Sequence, residues 1–479
     1  MWSGSRGGQG QASQQESEEL RRRWPRATLP PMSSTSLAYQ MALRIAVALA
    51  PAIGLLSPRL RKGLEARKGA GLRLFDWAKA HREEGRPLVW FHAASVGEGL
   101  QAEAVLRELR RRCPECQIVY THFSPSAAGL ASRIEADAAD YLPYDTPQNV
   151  DRLLSALKPD LLVFAKLDLW PELSTKSAWS GAHVAIIAGT VSPGSSRLRW
   201  PARTILQPGY RVVTAAAVVS SEDGTRLARL GVETKHIRML GDPRFDSVVE
   251  KVAATSAQDP LLRFGRGAPT LIAGSTWPQD EAVLLRAYAG VRGTYPHARL
   301  ILVPHEPIED HLARIEQAAS NSGLPQPLRL SAATEATSLL LVDQVGVLAA
   351  LYGAGTMAYV GGGFGRAGLH SVLEPAAWSL PVAFGPRWTH SRDAALLLEA
   401  GGATALPRGN VAASALEKLW NNWIRDESGR MEQGRKARQV VERGRGASES
   451  SAEMLLQLIS SRSPRMSRSA ERSGQRSGR

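Results

Sequence analysis

The sequence predicts two successive doubly wound α/β domains with basic segments at both ends, and three observations carry that reading. Short, continuous apolar runs alternate with stretches of helical periodicity, as expected of parallel strands covered on both faces. The runs fall into two series, beginning near Leu88 and near Thr270, so 479 residues divide into two domains of ordinary size. Each series holds a glycine turn directly after a strand. The first is Ser95-Val-Gly-Glu98; the second is Gly361-Gly-Gly-Phe-Gly-Arg-Ala-Gly-Leu-His-Ser-Val-Leu-Glu-Pro375.

In chain order, residues 1–36 are polar, with an Arg run at 21–23, and predict a disordered tail without a cleavable signal peptide. Met32 and Met41 are alternative starts. Residues 37–69 form an anchor segment, apolar from Leu37 to Leu56 and followed by Arg59, Arg61, Lys62, Arg67 and Lys68. Its length just suffices to span a bilayer. Arg44 near the centre opposes insertion by about 2.5–3.5 kcal/mol, and Pro51 weakens the helix. The pattern fits a helix lying in the membrane surface with its cations on anionic lipid. A spanning helix and a core helix with a solvated basic end are the other readings.

Residues 70–240 make the first Rossmann-like domain. Its strands are Leu88–Ala93, Ile118–Thr121, Leu161–Ala165, Val184–Ala188 and Ala215–Val219, with an amphipathic helix from Glu98 to Arg112. Residues 241–460 make the second, with strands Thr270–Ala273, Leu300–Val303, Leu339–Val342, Met357–Val360 and Pro381–Phe384, and closing helices. The two join near 240–265. Residues 461–479 are Ser/Arg-rich and predict a disordered basic tail.

The net charge of +14 suggests a nucleic-acid partner until it is located. Residues 1–36 carry +2, residues 37–69 carry +5 and residues 461–479 carry +5, leaving +2 for everything between. The body therefore has no basic groove of the nucleic-acid-binding kind. The two cysteines, Cys113 and Cys116, stand between a helix end and a strand, not at a helix start, and read as reduced loop thiols. One pair cannot build a four-cysteine zinc site, so no metal is expected.

Strand, glycine turn and a helix opening at about Leu369 would bring the bare amides of Gly361, Gly362 and Gly363 against a phosphate. A turn of this kind in each domain places an active site in the cleft between them. Two Rossmann-like domains facing a central cleft are the GT-B architecture of many nucleotide-sugar glycosyltransferases, though fold alone does not fix the reaction. Glu98, a carboxylate at a strand-to-helix turn, suits a general base; it equally suits a helix N-terminus satisfying the dipole. His92 ends a buried strand and reads as a core imidazole, as does His370 beside the glycine turn.

Several motifs together resemble the 3-deoxy-D-manno-octulosonic acid (Kdo) transferase family. They are Trp90-Phe-His-Ala-Ala-Ser-Val-Gly-Glu98, Tyr141-Leu-Pro-Tyr-Asp145, Leu167-Asp-Leu-Trp-Pro171, Gly241-Asp-Pro-Arg-Phe-Asp246, Ala273-Gly-Ser-Thr-Trp277, Pro304-His-Glu306, Asp343-Gln-Val-Gly346 and the glycine block ending Phe384-Gly-Pro386. They run in order from about residue 37 to 450.

The resemblance implies an inverting, metal-independent transferase moving Kdo from CMP-Kdo to a lipid A precursor in lipopolysaccharide biosynthesis. It further implies a place on the cytoplasmic face of the bacterial inner membrane, held there by the N-terminal anchor. Partners would be CMP-Kdo, the acceptor lipid and the membrane surface, with no nucleic acid and no cofactor beyond the donor. Glu98 matches the general base. Pro304, His305, Val345, Gly346, Val347, Ser371, Val372, Leu373 and Glu374 match nucleotide-binding positions, and a carboxylate at Glu374 would hold ribose hydroxyls.

Lys166 stands where many members have glutamate, and either meets the Kdo carboxylate or leaving phosphate or pairs with Asp168 or Glu172. Arg244 replaces a lysine and keeps its charge. His305-Glu306 and Ser371 replace an Arg-His pair and an asparagine, pointing to a variant branch. The alternatives are another GT-B nucleotide-sugar transferase or epimerase, and a non-catalytic CMP-binding relative.

Overall fold

The computed structural model describes residues 37–55 and 58–462, so the expected tail 1–36 and all but the first two residues of the expected tail 461–479 lie outside the described residues. The chain forms two compact units. One comprises the chain up to Arg244 and again from Gly446 onward; the other runs from Phe245 to Arg445.

In the first unit, α1 (Leu37–Leu55), α2 (Pro58–Arg67) and α3 (Ala70–His81) precede the strand β1 (Leu88–His92). There follow α4 (Val96–Arg112), β2 (Gln117–His122), β3 (Ala138–Tyr141), α5 (Pro147–Leu157), β4 (Leu161–Ala165) and α6 (Pro171–Trp179). The series continues with β5 (His183–Gly189), α7 (Ala202–Arg211), β6 (Ala215–Val218), α8 (Ser221–Leu230) and β7 (Ile237–Met239). All seven strands are parallel, in the order β3-β2-β1-β4-β5-β6-β7. Every residue of β1, β2 and β4 is buried, which is why these segments read as unbroken apolar runs.

Helix boundaries follow local chemistry. Thr146 accepts a hydrogen bond from the Asn149 N–H, Pro147 opens α5, and Val150, Leu153, Leu154 and Leu157 face the core. Lys158, at φ +44°, then ends it. The α1 hydroxyl of Tyr39 donates to the buried Asp145 carboxylate at 2.7 Å. Asp145 also accepts the first amides of α6, from Glu172 and Leu173, both at 2.8 Å. No helix among the described residues is long and apolar enough to cross a membrane. On α1, Leu37, Met41, Ile45 and Leu49 are exposed at every fourth position, one stripe of a helix surface.

The second unit contains most of α9 (Arg244–Ala254), then β8 (Thr270–Thr276), α10 (Pro278–Thr294), β9 (Arg299–Pro304), α11 (Glu309–Asn321), β10 (Leu328–Arg329) and β11 (Leu339–Leu341). It continues through α12 (Leu348–Leu351), β12 (Met357–Val360), α13 (Leu373–Ala377), β13 (Val382–Phe384), α14 (Arg392–Glu399), β14 (Ala403–Ala405), α15 (Ala412–Arg425) and α16 (Glu427–Arg443). Its parallel sheet has the order β10-β11-β9-β8-β12-β13-β14.

Three expectations are corrected. The boundary falls after Arg244 rather than at 240, and the last helix, α17 (Ala447–Arg462), returns to the first unit. There Leu455, Leu458 and Ile459 share a core cluster with Val105 and Leu109 of α4, and α17 extends two residues into the segment expected to be disordered. Cys113 and Cys116 are joined by a disulfide. The turn between α4 and β2 sets their Cα atoms 5.4 Å apart, within the span a disulfide bridges.

Candidate functional site

Ligands of open parallel sheets gather at the carboxyl ends of the strands where the strand order reverses. In the first unit that point lies between β1 and β4. Glu98, the third residue of α4, is half-buried there, and its Oε2 accepts the Ser95 backbone N–H at 3.1 Å. Its other oxygen has no hydrogen-bond partner among the described residues. One carboxylate thus caps a helix and keeps a lone pair to spare.

Lys166 directly follows β4. It sits in the left-handed region at φ +61°, and its N–H donates to the Ile187 carbonyl at 2.8 Å. A non-glycine residue held there costs about 1–3 kcal/mol, a kind of strain that clusters at functional sites. Its ammonium is exposed and pairs with neither expected carboxylate. Asp168 is taken by Arg197 at 3.2 Å and His92 at 3.4 Å, and Glu172 by Lys176 at 3.2 Å. Burial acts to raise Asp168, but His92 and Arg197 outweigh it and hold the carboxyl below its ordinary value.

His92 is fully buried. Its Nδ1 meets the Thr121 hydroxyl at 3.1 Å, and its Nε2 meets the Trp170 indole N–H at 3.2 Å. It is the core imidazole that the sequence suggested.

Arg244 is engaged. Its Nε and Nη2 donate to Asp242 Oδ2 at 3.0 and 2.7 Å, while Asp242 Oδ1 accepts from the Gln101 amide at 3.0 Å. Gln101 lies one turn beyond Glu98 on α4, so this chain of contacts fixes Arg244 against the helix that carries Glu98.

In the second unit the matching point is the end of β8, flanked by β9 and β12. His305 follows Pro304 out of β9, and its N–H donates to the Thr276 carbonyl at 3.0 Å. The His305 ring stacks on Trp277 with centroids 4.9 Å apart, and His370 lies 4.4 Å from His305. The Trp277 indole N–H donates to His370 Nε2 at 3.0 Å. Trp277, His305 and His370 thus form an aromatic platform at the carboxyl end of the sheet. Val345, Gly346 and Val347 precede α12, whose Leu348 packs against Gly274 near the end of β8. Val345 is exposed, and Gly346 turns the loop at φ +89°.

The platform sets a pH dependence. Burial, followed by the charge of His305, pushes His370 down to about 4 from its ordinary 6.5. The folded chain therefore binds that proton less readily than the unfolded chain. The stability this contributes is complete above about pH 6.5 and is lost as pH falls towards 4. Thermal midpoints measured across pH 4–7 should fall less steeply for His370→Asn than for the wild type.

The glycine run departs from expectation. The Gly361 N–H is spent on the Gly274 carbonyl at 2.9 Å and the Gly362 N–H on Asp280 Oδ2 at 2.9 Å. These glycines serve close packing. A Cβ on Gly361 would strike the Ser275 carbonyl oxygen, and one on Gly363 would lie 2.7 Å from the Gly385 Cα. The expected helix at Leu369 begins only at Leu373 and is five residues long, because the chain from Gly368 first turns to let the His370 N–H reach the Gly361 carbonyl at 3.1 Å. The amides of Ser371 and Val372 meet no acceptor among the described residues and replace those of Gly361 and Gly362 as candidate phosphate donors. Glu374, in the first turn of α13 with Leu373, pairs with Lys251 at 3.2 Å.

Sequence reasoning missed Asp280. It is buried, accepts from the Trp277 N–H at 3.0 Å, the Gly362 N–H and the Tyr359 hydroxyl at 2.7 Å, and so ties β8, β12 and the glycine loop together. Burial raises its pKa, with the donors opposing. The signal was present as a carboxylate three residues after Trp277, where a capping partner belongs.

Residues 68–247 match the family model described as 3-Deoxy-D-manno-octulosonic-acid transferase (kdotransferase). The chain is 27% identical over 420 residues to the 3-deoxy-D-manno-octulosonic acid transferase of Haemophilus influenzae, covering 82% of this chain and 92% of the relative. It is 28% identical over 403 residues to that of Bordetella pertussis, covering 78% and 89%. Among solved structures, the UDP-GlcNAc 2-epimerase of Neisseria meningitidis bound to UDP-GlcNAc aligns with a TM-score of 0.56 at 14% identity. It covers 78% of this chain and 99% of the epimerase, a likeness of GT-B type that concerns the fold alone. With its motifs in register over both units, the chain is similar along most of its length to the 3-deoxy-D-manno-octulosonic acid transferases.

Proposed function

We propose that this chain transfers Kdo from CMP-Kdo to a lipid A precursor, with inversion and without a metal, at the cytoplasmic face of the inner membrane. The observation that carries the reading is Glu98, a half-buried carboxylate at the switch point of the first sheet with one oxygen uncommitted. It takes the proton from the acceptor hydroxyl as that oxygen attacks the ketosidic carbon. Lys166, without a carboxylate partner among the described residues and held at the end of β4, stabilises negative charge as CMP leaves. Arg244, with its charge partly answered by Asp242, steadies the same region.

In the second unit the aromatic platform of Trp277, His305 and His370 suits a stacked nucleobase. The amides of Ser371 and Val372 suit the phosphate, and Glu374 the ribose hydroxyls. The exposed apolar stripe on α1 favours a helix lying in the membrane surface over one that spans it. Behind α1 and α2 a cavity of about 540 Å3 combines an apolar floor of Val47, Leu64, Leu72 and Pro143 with Arg61, Arg67, Lys68 and Arg152. That combination fits an acylated, anionic acceptor.

The direct test supplies the chain with CMP-Kdo and a tetra-acylated lipid A precursor and follows product by mass. CMP should raise the thermal midpoint and UDP should not. Protection by UDP alone, without Kdo transfer, would replace this reading with a uridine-sugar activity.

A further inference from the structure

Beside the donor edge of the second unit lies a cavity of about 650 Å3 whose wall comes from three separate segments. The glycine loop contributes Arg366, the turn after β13 contributes Arg387 and His390, and the turn after β14 contributes Arg408. All three arginines are exposed, and none pairs with a carboxylate among the described residues. Arg387 reaches the Gly365 carbonyl, at 3.5 Å. The neighbouring acid, Asp393, is buried in the first turn of α14 and does not line the cavity. Three guanidiniums around one space repel one another unless an anion lies among them, and their forks match a carboxylate or a phosphate.

We propose that this cavity binds the carboxylate of the transferred sugar acid, an inference that rests on the donor reading above. The donor carries two anionic groups, a phosphate and a carboxylate. The positions assigned to the nucleotide, Pro304, His305, Val345–Val347 and Ser371–Glu374, include no lysine or arginine. They supply neutral amides, which suffice for a phosphate at a turn and leave the carboxylate without a counter-charge. Gly368 and Leu369 line the arginine cavity, and His370 and Ser371 follow them at once in the chain. A sugar leaving the nucleotide positions along this loop therefore meets the guanidiniums first.

The test uses the full chain and thermal protection by free Kdo, Kdo methyl ester, inorganic phosphate and CMP. Kdo should protect the wild type and its methyl ester should not. The triple variant Arg366→Gln, Arg387→Gln, Arg408→Gln should lose protection by Kdo, keep protection by CMP and show a KM for CMP-Kdo raised about 10- to 100-fold. A control that removes two surface arginines elsewhere, Arg286→Gln, Arg314→Gln on the exposed faces of α10 and α11, should behave as wild type.

Unchanged Kdo protection and KM in the triple variant would overturn the proposal. So would loss of CMP protection, or protection of the wild type by phosphate but not by Kdo, since either assigns the cavity to a phosphate. Kdo protection is read without turnover, so wild-type protein that binds Kdo through these arginines yet transfers nothing would refute the transferase reading and leave the carboxylate site standing.

Discussion

Glu98→Gln is expected to lower the rate of Kdo transfer by about 100- to 10,000-fold, the range a positioned general base contributes. The amide matches the carboxylate in shape, and its oxygen can still accept the Ser95 N–H that Glu98 now takes at 3.1 Å. Thermal unfolding should therefore stay close to that of the wild type. Glu98→Ala removes base and cap together and should lose about 1 kcal/mol of stability as well. Comparing the two separates chemistry from helix capping. Glutamine at wild-type rates would confine Glu98 to capping. A slow, stable glutamine variant whose CMP protection is intact identifies the base.

Asp280→Ala should have the largest effect on stability. The buried carboxylate accepts from the Trp277 and Gly362 amides and the Tyr359 hydroxyl, with the Phe364 amide also directed at it, and alanine leaves these donors unpaired beneath the glycine loop. Orphaned buried donors cost about 1–3 kcal/mol each. Allowing for relaxation, a loss of at least about 3 kcal/mol follows, with a midpoint about 6–12 °C lower for a unit of this size. Because Gly362 and Trp277 both hang from this side chain, CMP protection should weaken at temperatures where the variant is still folded. Asp280→Asn keeps an acceptor oxygen and should fall between. An alanine variant as stable as wild type would mean that the loop is held by its glycine packing alone.

The strands legible in the sequence were those whose burial leaves no alternation, such as Leu161–Ala165, where the expected and observed bounds coincide. The strand Ala138–Tyr141 escaped because it lies at a sheet edge and carries Asp140 among small residues. Helix α17 was placed in the wrong unit for a different reason. Its apolar face shows that it packs, but nothing local says that its partner is a helix some 340 residues earlier.

At the site, Glu98 stood out as a carboxylate where a strand gives way to a helix, whereas the 304–305 and 371–374 segments came only from the family resemblance. The glycine run was legible as close approach and misread as to what approaches. The same absence of Cβ that admits a phosphate admits the carbonyl of Ser275 and the backbone of Gly385, and only the fold says which one is there. Likewise the fate of Lys166 hung on whether Asp168 and Glu172 were already occupied, by Arg197 from a distant segment and by Lys176 one turn further along the same helix as Glu172. The arginine cavity was not legible in the sequence, since positions 366, 387 and 408 lie 21 residues apart on three separate segments that only the fold brings together.

The return of α17 to the first unit bears on how the chain is made. A ribosome delivers residues up to Arg244 first, then the whole of the second unit, and only then the helix whose Leu455, Leu458 and Ile459 cover α4. During synthesis the earlier half thus waits with one side of its sheet partly uncovered while some 200 further residues emerge and fold. A nascent chain cut short between Arg244 and Ala447 would therefore hold a first unit whose α4 keeps an apolar face exposed, which only the last helix covers.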